Sequence, residues 1–159
     1  MGLPPYVPGR YSTCELRSFG ALSGLDHFMS ALLQGVIPRL PVLDLGRTVA
    51  FYSRVLGFRI SLLFPEEAPI FCVLDRDSIS LGFFTTDQTR IEVVIGTVEL
   101  YLAVEDVQAL FVEIRDQVFI EWGPEVYVYG RREFAIRDPD GYLLIFTEPT
   151  DDLPTCLEA

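Results

Sequence analysis

The chain has 159 residues, half of them apolar and 13% aromatic, with 23 acidic against 12 basic side chains and a formal charge of −11. That length fits one domain, or two small fused modules sharing a core, and the apolar content excludes disorder for most of it. The negative field argues against nucleic acid and anionic lipid as partners, and it favours a cationic or neutral ligand over a phosphate-bearing one.

In chain order, residues 1–20 are rich in Pro, Gly and Ser and read as an arm. Leu22, Leu25, Phe28, Met29, Leu32 and Leu33 then recur at helical spacing, and Gly35 stops that helix. Residues 1–35 are therefore expected to be an N-terminal arm and helix. The prolines and charges of the arm leave no uninterrupted apolar core for a signal peptide, and no later run reaches membrane-spanning length. Cys14, Cys72 and Cys156 are odd in number with no close pair, which fits a reducing compartment. A soluble, cytoplasmic protein is the expectation.

Val36 to Leu43 predicts a strand, and Leu45, Val49, Phe51, Tyr52, Val55 and Leu56 form the apolar stripe of a helix ending at Gly57. Strands are expected at Phe58–Phe64, Ile70–Leu74 and Ser78–Phe84. The second half repeats the order: strand Thr97–Val104, helix Val107–Arg115, a strand at either Val118–Trp122 or Val126–Tyr129, then Glu133–Arg137 and Tyr142–Thr147. Between the last two lies Asp138-Pro139-Asp140-Gly141, where Pro pre-sets one dihedral and Gly supplies a positive φ, the signature of a hairpin turn. Leu40-Pro41-Val42-Leu43-Asp44-Leu45 lines up with Leu102-Ala103-Val104-Glu105-Asp106-Val107. In each copy a strand ends at an Asp placed to accept the free amide protons of the next helix.

The fold class is thus α+β: two βαβββ modules, 36–90 and 96–150, forming a curved mixed sheet with a concave cleft, followed by a tail at 151–159. One helix per module leaves the second face of each sheet open, and alternate strand residues line that face.

These paired modules, with Asp44-Leu45 and Phe51-Tyr52 in the first and Gly130-Arg131-Arg132-Glu133-Phe134 through Asp138-Pro139-Asp140-Gly141 in the second, resemble the vicinal oxygen chelate superfamily. Within it the likeness is to bleomycin resistance proteins and related glyoxalase-like domains, over about Val36 to Pro149. Superfamily enzymes such as glyoxalase I and the extradiol dioxygenases hold a divalent metal, and the resemblance implies Ile37, Gly82 or Leu81, Glu99 and Ile145 as the matching positions. Of these only Glu99 can bind a metal. The sole histidine, His27, lies in the N-terminal extension, so no two-histidine site can form within one chain. No metal and no other cofactor is expected. Bleomycin resistance proteins act by sequestration, as homodimers whose aromatic, acidic clefts enclose cationic drugs. The resemblance therefore implies a homodimer and metal-independent binding of a small cationic or aromatic organic molecule, without catalysis. Two alternatives remain: a metal-dependent lyase, isomerase or dioxygenase with atypical ligands, and a non-catalytic regulatory or partner-binding module.

Five residues are candidates for ligand binding, each with a plainer reading. Tyr129 stands where resistance-like relatives often carry a tryptophan that stacks on ligand, or it packs on its own sheet. Trp122, before Gly123-Pro124 at a loop boundary, contacts ligand or packs locally. Tyr101 shares strand parity with Glu99, which either neutralises a cationic group or is solvated. Phe71 lines the same wall or, the default, belongs to the core. Arg131, Arg132 and Glu133 read as a solvated edge or structural ion pair, and Asp138 and Asp140 as turn residues bonding backbone amides. His27 reads as a packing histidine and Cys72 as a buried, inert thiol.

Overall fold

In the computed structural model, residues 35–88 and 97–156 are described. The chain divides into two units, Met1–Gly35 and Val36–Ala159. The readings of the arm, of the Leu22–Leu33 helix and of Cys14 and His27 lie outside the described residues.

Each module is a strand, a helix and three further strands. The first has β1 (Arg39–Val42), α1 (Leu45–Arg54), β2 (Arg59–Phe64), β3 (Phe71–Arg76) and β4 (Ile79–Thr85). The second has β5 (Glu99–Ala103), α2 (Val107–Ile114), β6 (Ile120–Tyr127), β7 (Arg131–Arg137) and β8 (Leu143–Pro149). Each forms its own four-stranded sheet, in the order β1-β4-β3-β2 and β5-β8-β7-β6. In both, the first strand pairs parallel with the last and the remaining pairs are antiparallel. The two sheets thus repeat one topology.

The helix starts follow from the two aspartates. Asp44 accepts the Arg47 amide at 2.9 Å and Asp106 accepts the Ala109 amide at 2.8 Å, so each carboxylate satisfies an orphan donor at the positive end of its helix. Glu148 of β8 adds a second acceptor for α2, taking the Val107 amide at 3.0 Å. Each helix covers one face of its own sheet, and between helix and sheet lies the core: Leu40, Val42, Tyr52, Leu74 and Phe83 in the first module, Leu102, Leu110, Phe134, Leu144 and Phe146 in the second. Burying each large apolar side chain contributes about 1.5–3 kcal/mol. Cys72 sits in this core, and burial pushes its thiol up to about 11, which keeps it protonated and unreactive.

One strand departs from the sequence reading. The two alternatives Val118–Trp122 and Val126–Tyr129 are a single strand, β6, interrupted at Gly123-Pro124 by shifts of register against β7. Pro124 reads as a strand breaker, yet β6 is the edge strand of its sheet, where a missing amide proton is tolerated beside a bulge. The tail joins that strand too: the Thr155 and Cys156 amides both donate to the Val126 carbonyl, at 2.8 and 3.1 Å.

The hairpin turn between β7 and β8 also ties the modules together. Gly141 takes φ +90° and its amide closes the turn on the Asp138 carbonyl at 3.0 Å. Asp138 and Asp140 are buried, and they do more than bond their own turn. Asp138 accepts the Asp140 and Tyr142 amides, both at 2.9 Å, and the Tyr52 hydroxyl from α1 at 3.0 Å. Asp140 reaches the start of the first helix, accepting the Leu43 amide, the Thr48 hydroxyl and the Arg47 guanidinium at 2.9–3.0 Å. In return, Tyr142 donates to the Pro41 carbonyl at 2.7 Å. Sequence reasoning confined both aspartates to their turn because long-range partners cannot be read from local spacing.

Candidate functional site

The open face of the second sheet can be followed row by row, because directly paired residues on neighbouring strands share a face. One row runs Tyr101, Ile145, Ala135, Trp122; the next runs Ala103, Thr147, Glu133, Glu125; Arg131 and Tyr127 begin a third. Glu99 pairs with Leu143 one step beyond Tyr101 and faces the same way. Ile145 and Ala135 are buried without belonging to the core cluster, as expected of residues overlaid by large neighbours on the side away from α2.

Three aromatic rings cluster here. Tyr127 and Tyr129 stack with centroids 5.1 Å apart and planes 13° from parallel, and Trp122 meets Tyr127 edge-on at 5.8 Å. The bulge at Gly123-Pro124 is what puts the indole opposite Ala135 on this face. Tyr101 remains 60% exposed. Behind the rings lies Glu133, only 2% exposed, accepting the Tyr129 hydroxyl at 3.1 Å on one oxygen and the Thr147 hydroxyl at 2.9 Å on the other. No Lys, Arg or His pairs with it among the described residues; Arg131 reaches only as far as Thr147, at 2.9 Å. A buried carboxylate held by two neutral hydroxyls is costly, and a nearby positive charge would offset that cost.

The electrostatics are consistent along the face. Burial, then Glu133, raises the Tyr129 phenol well above its ordinary value; burial, then Glu125, pushes Tyr127 up to about 12; burial, then Glu133 and Glu99, raises Tyr101. All three stay protonated at neutral pH, so they act as hydroxyl donors and neutral rings.

The structure therefore brings Trp122, Tyr129, Tyr101 and Glu99 onto one face and leaves Phe71 on the other sheet. Phe71 is not a core residue, contrary to its default reading: its neighbour Cys72 points into the core, and the Phe71 ring lies on the opposite face beneath the Arg39 guanidinium, 4.8 Å from its centroid. Sequence reasoning missed Glu133, Tyr127 and Glu125. Glu133 had been grouped with Arg131 and Arg132 as a solvated or ion-paired run; only Arg132 makes such pairs, with Glu148 at 2.7 Å and with Asp152. The signal was strand parity, which sets Glu133 on the face of Ala135 and turns Arg132 to the other.

The donor set does not fit the superfamily's metal. Ile145 and Gly82 offer no ligand atom, Leu81 points into the core, Ile37 precedes β1, and the β1 residue paired with Gly82 is Arg39, a cation. Among the described residues no group of three His, Cys, Asp or Glu is placed to hold a metal ion. A separate cavity of about 600 Å³ opens between the β3–β4 turn and α2, floored by Phe58, Leu102 and Phe146. Two of its polar groups are engaged structurally, Asp106 in capping α2 and Arg76 in donating to the Leu56 carbonyl at 2.7 Å. The aromatic face, with a buried carboxylate that no cation contacts directly among the described residues, is the better candidate. Among the described residues no helix is long and apolar enough to cross a membrane.

Two βαβββ modules with parallel outer pairs and open faces define a glyoxalase-like fold. The family model of the Glyoxalase/Bleomycin resistance protein/Dioxygenase superfamily matches residues 24–146, and the chain belongs to that superfamily. No curated protein matches it. Among solved structures it is similar to the bleomycin resistance determinant encoded on transposon Tn5, at 25% identity over 74% of this chain and 98% of that one, with a TM-score of 0.61. It is also similar to the bleomycin-binding protein from bleomycin-producing Streptomyces verticillus in complex with copper(II)-bleomycin, at 24% identity over 77% and 99%, TM-score 0.61. A protein of unknown function from Agrobacterium tumefaciens str. C58 matches at 23% identity over 74% and 95%, TM-score 0.59.

Proposed function

We propose that this protein binds and sequesters a small organic molecule, cationic or aromatic, on the open face of its second sheet, without a metal and without catalysis. The observation that carries this reading is Glu133: a buried carboxylate with no ion-pair partner among the described residues, set behind Tyr129 and beside Tyr127 and Trp122. Aromatic faces backed by negative charge attract extended planar cations through burial, stacking and cation–π terms, and no bond need break. Tyr129, Trp122, Tyr101 and Glu99 are the proposed contacts; Phe71, on the other sheet, joins them only if a second subunit supplies it. The first sheet supports that assembly. Its open face exposes Leu62 and Phe64 beside Arg39, an apolar, cationic surface suited to the acidic face of a second copy, so we assign the protein to a homodimer. Three cysteines with no close pair in the sequence suit a reducing compartment, the cytoplasm.

Calorimetric titration with metal-free bleomycin, a ligand of the structural neighbours, tests the reading. Binding is expected, and Tyr129→Ala should weaken it by at least about 1 kcal/mol with the fold intact. Unchanged affinity removes Tyr129 from the site. Stoichiometric, tightly held iron, zinc, nickel or manganese in purified protein would instead favour a metal-dependent enzyme. Light scattering at micromolar concentration should report a dimer; a monomer breaks the assignment of Phe71 and of the first sheet.

A further inference from the structure

Every engaged carboxylate on this face meets the ligand side through a tyrosine. Glu133 takes the Tyr129 hydroxyl at 3.1 Å and Glu125 takes the Tyr127 hydroxyl at 3.3 Å. The second oxygen of Glu133 takes the Thr147 hydroxyl, and its 2% exposure leaves no room for a direct contact from above. What the surface presents to a ligand is thus ring faces made electron-rich by hydroxyls bonded to carboxylates. Tyr127 and Tyr129 close on each other, so a ligand meets their outer faces and the edge-on indole of Trp122.

That arrangement discriminates between cations. A primary ammonium is strongly hydrated and needs three acceptors to replace its water; here Glu133 is buried, Glu125 already accepts the Tyr127 hydroxyl, and of the carboxylates in these rows only Glu99 stands exposed, fewer acceptors than it needs. An alkylated ammonium has few or no N–H groups, sheds its water cheaply, and gains from ring faces and from the field behind them. Arg131 bears a positive charge on the same face, but its Nε is held on Thr147, and the rows also carry Glu99, Glu125 and Glu133.

We propose that the cation taken by this face is an alkylated, weakly hydrated ammonium and that Glu133, acting through Tyr129, is the positioning residue that sets its charge preference, an assignment that rests on the small-molecule reading above. Trp122 is the only tryptophan in the chain, so its fluorescence reports on the site.

Three benzyl probes decide the matter: benzyltrimethylammonium, its uncharged isostere neopentylbenzene, and the smaller benzylammonium, which keeps its three N–H groups. The trimethylated cation is expected to quench Trp122 with an affinity about tenfold above either of the others. Glu133→Gln should remove about tenfold for that probe and leave the neutral one nearly unchanged, a selectivity loss that a merely structural role would not produce. Should Glu133→Gln fail to fold, Tyr129→Phe keeps the ring, breaks only the link to Glu133, and is expected to lose the same preference. Benzylammonium binding as tightly as the trimethylated probe, or neopentylbenzene doing so, overturns this inference while leaving the small-molecule reading in place. If bleomycin binds and none of the three probes does, this inference alone falls. If bleomycin also fails to bind, both fall.

Discussion

On the first sheet the open face carries the Arg39 guanidinium over the rings of Phe71 and Phe84, at 4.8 and 5.5 Å, with Leu62 and Phe64 exposed beyond them. On the second it carries stacked tyrosines, an indole and carboxylates. The helix-facing sides, by contrast, are built alike, with an aspartate cap, a buried apolar stripe and a parallel outer pair in each. A module's fold depends on the face it buries, so the repeat is preserved there; the other face is free to differ, with Arg39 over aromatic rings on the first sheet and Glu99, Glu125 and Glu133 among aromatic rings on the second. That separation can be tested by disturbing each face in turn.

The largest effect is expected at Gly123. Its φ is +85°, and a Cβ added there would lie 2.4 Å from the Glu133 carbonyl oxygen and 2.8 Å from the Phe134 Cα. Both obstacles are backbone of β7, which cannot rotate away. Gly123→Ala should therefore cost about 3 kcal/mol or more in thermal unfolding, through backbone strain and loss of β6–β7 pairing. A wild-type melting temperature would show that the bulge does not hold Trp122 against Ala135 as described.

The joint between the modules gives the next effect. Burial raises the Asp138 carboxyl from 3.8 to about 6, opposed by hydrogen bonds from the Tyr142 amide, the Tyr52 hydroxyl and the Asp140 amide, with the Asp140 charge adding to the rise. The folded protein then keeps a proton between about pH 4 and 6 that the unfolded chain has released. Stability from this group is fully present below about pH 4 and is lost as pH rises through about 6, by on the order of 3 kcal/mol. Denaturant unfolding across that window should show the decline, and Asp138→Asn should flatten it. A slope that survives the substitution would place the titration elsewhere.

These two sites also show what the sequence could and could not disclose. Asp44 and Asp106 were legible because a cap acts within three residues, and the succession of strands and helices along the chain followed from periodicity. The Asp138–Tyr52 and Asp140–Thr48 bonds span about ninety positions, and local pattern carries no record of them. Glu133 was obscured differently, since a charged run reads as solvated until parity is applied residue by residue. Trp122 looked like a loop residue because Pro124 breaks the strand pattern, whereas an edge strand with a bulge accepts it.

The smallest expected effect tests the first sheet. At Gly82 a Cβ would approach the Arg39 Cγ at 3.3 Å and the Phe71 Cε2 and Pro38 carbonyl at 3.4 Å, with no positive φ to strain. Two of these neighbours are side chains on an exposed face, and Arg39 can swing off the Phe71 ring at the loss of about 0.5–1 kcal/mol of cation–π attraction. Gly82→Ala should thus lower stability by no more than about 1 kcal/mol and leave Trp122 fluorescence and ligand affinity of an isolated subunit unaltered. If the open face of the first sheet is where a second copy sits, the same substitution should weaken the dimer as Arg39 is displaced, measured by sedimentation across a dilution series. An unchanged dissociation constant would separate Arg39 from the subunit contact and leave the second sheet's acidic face to find its cation in the ligand alone.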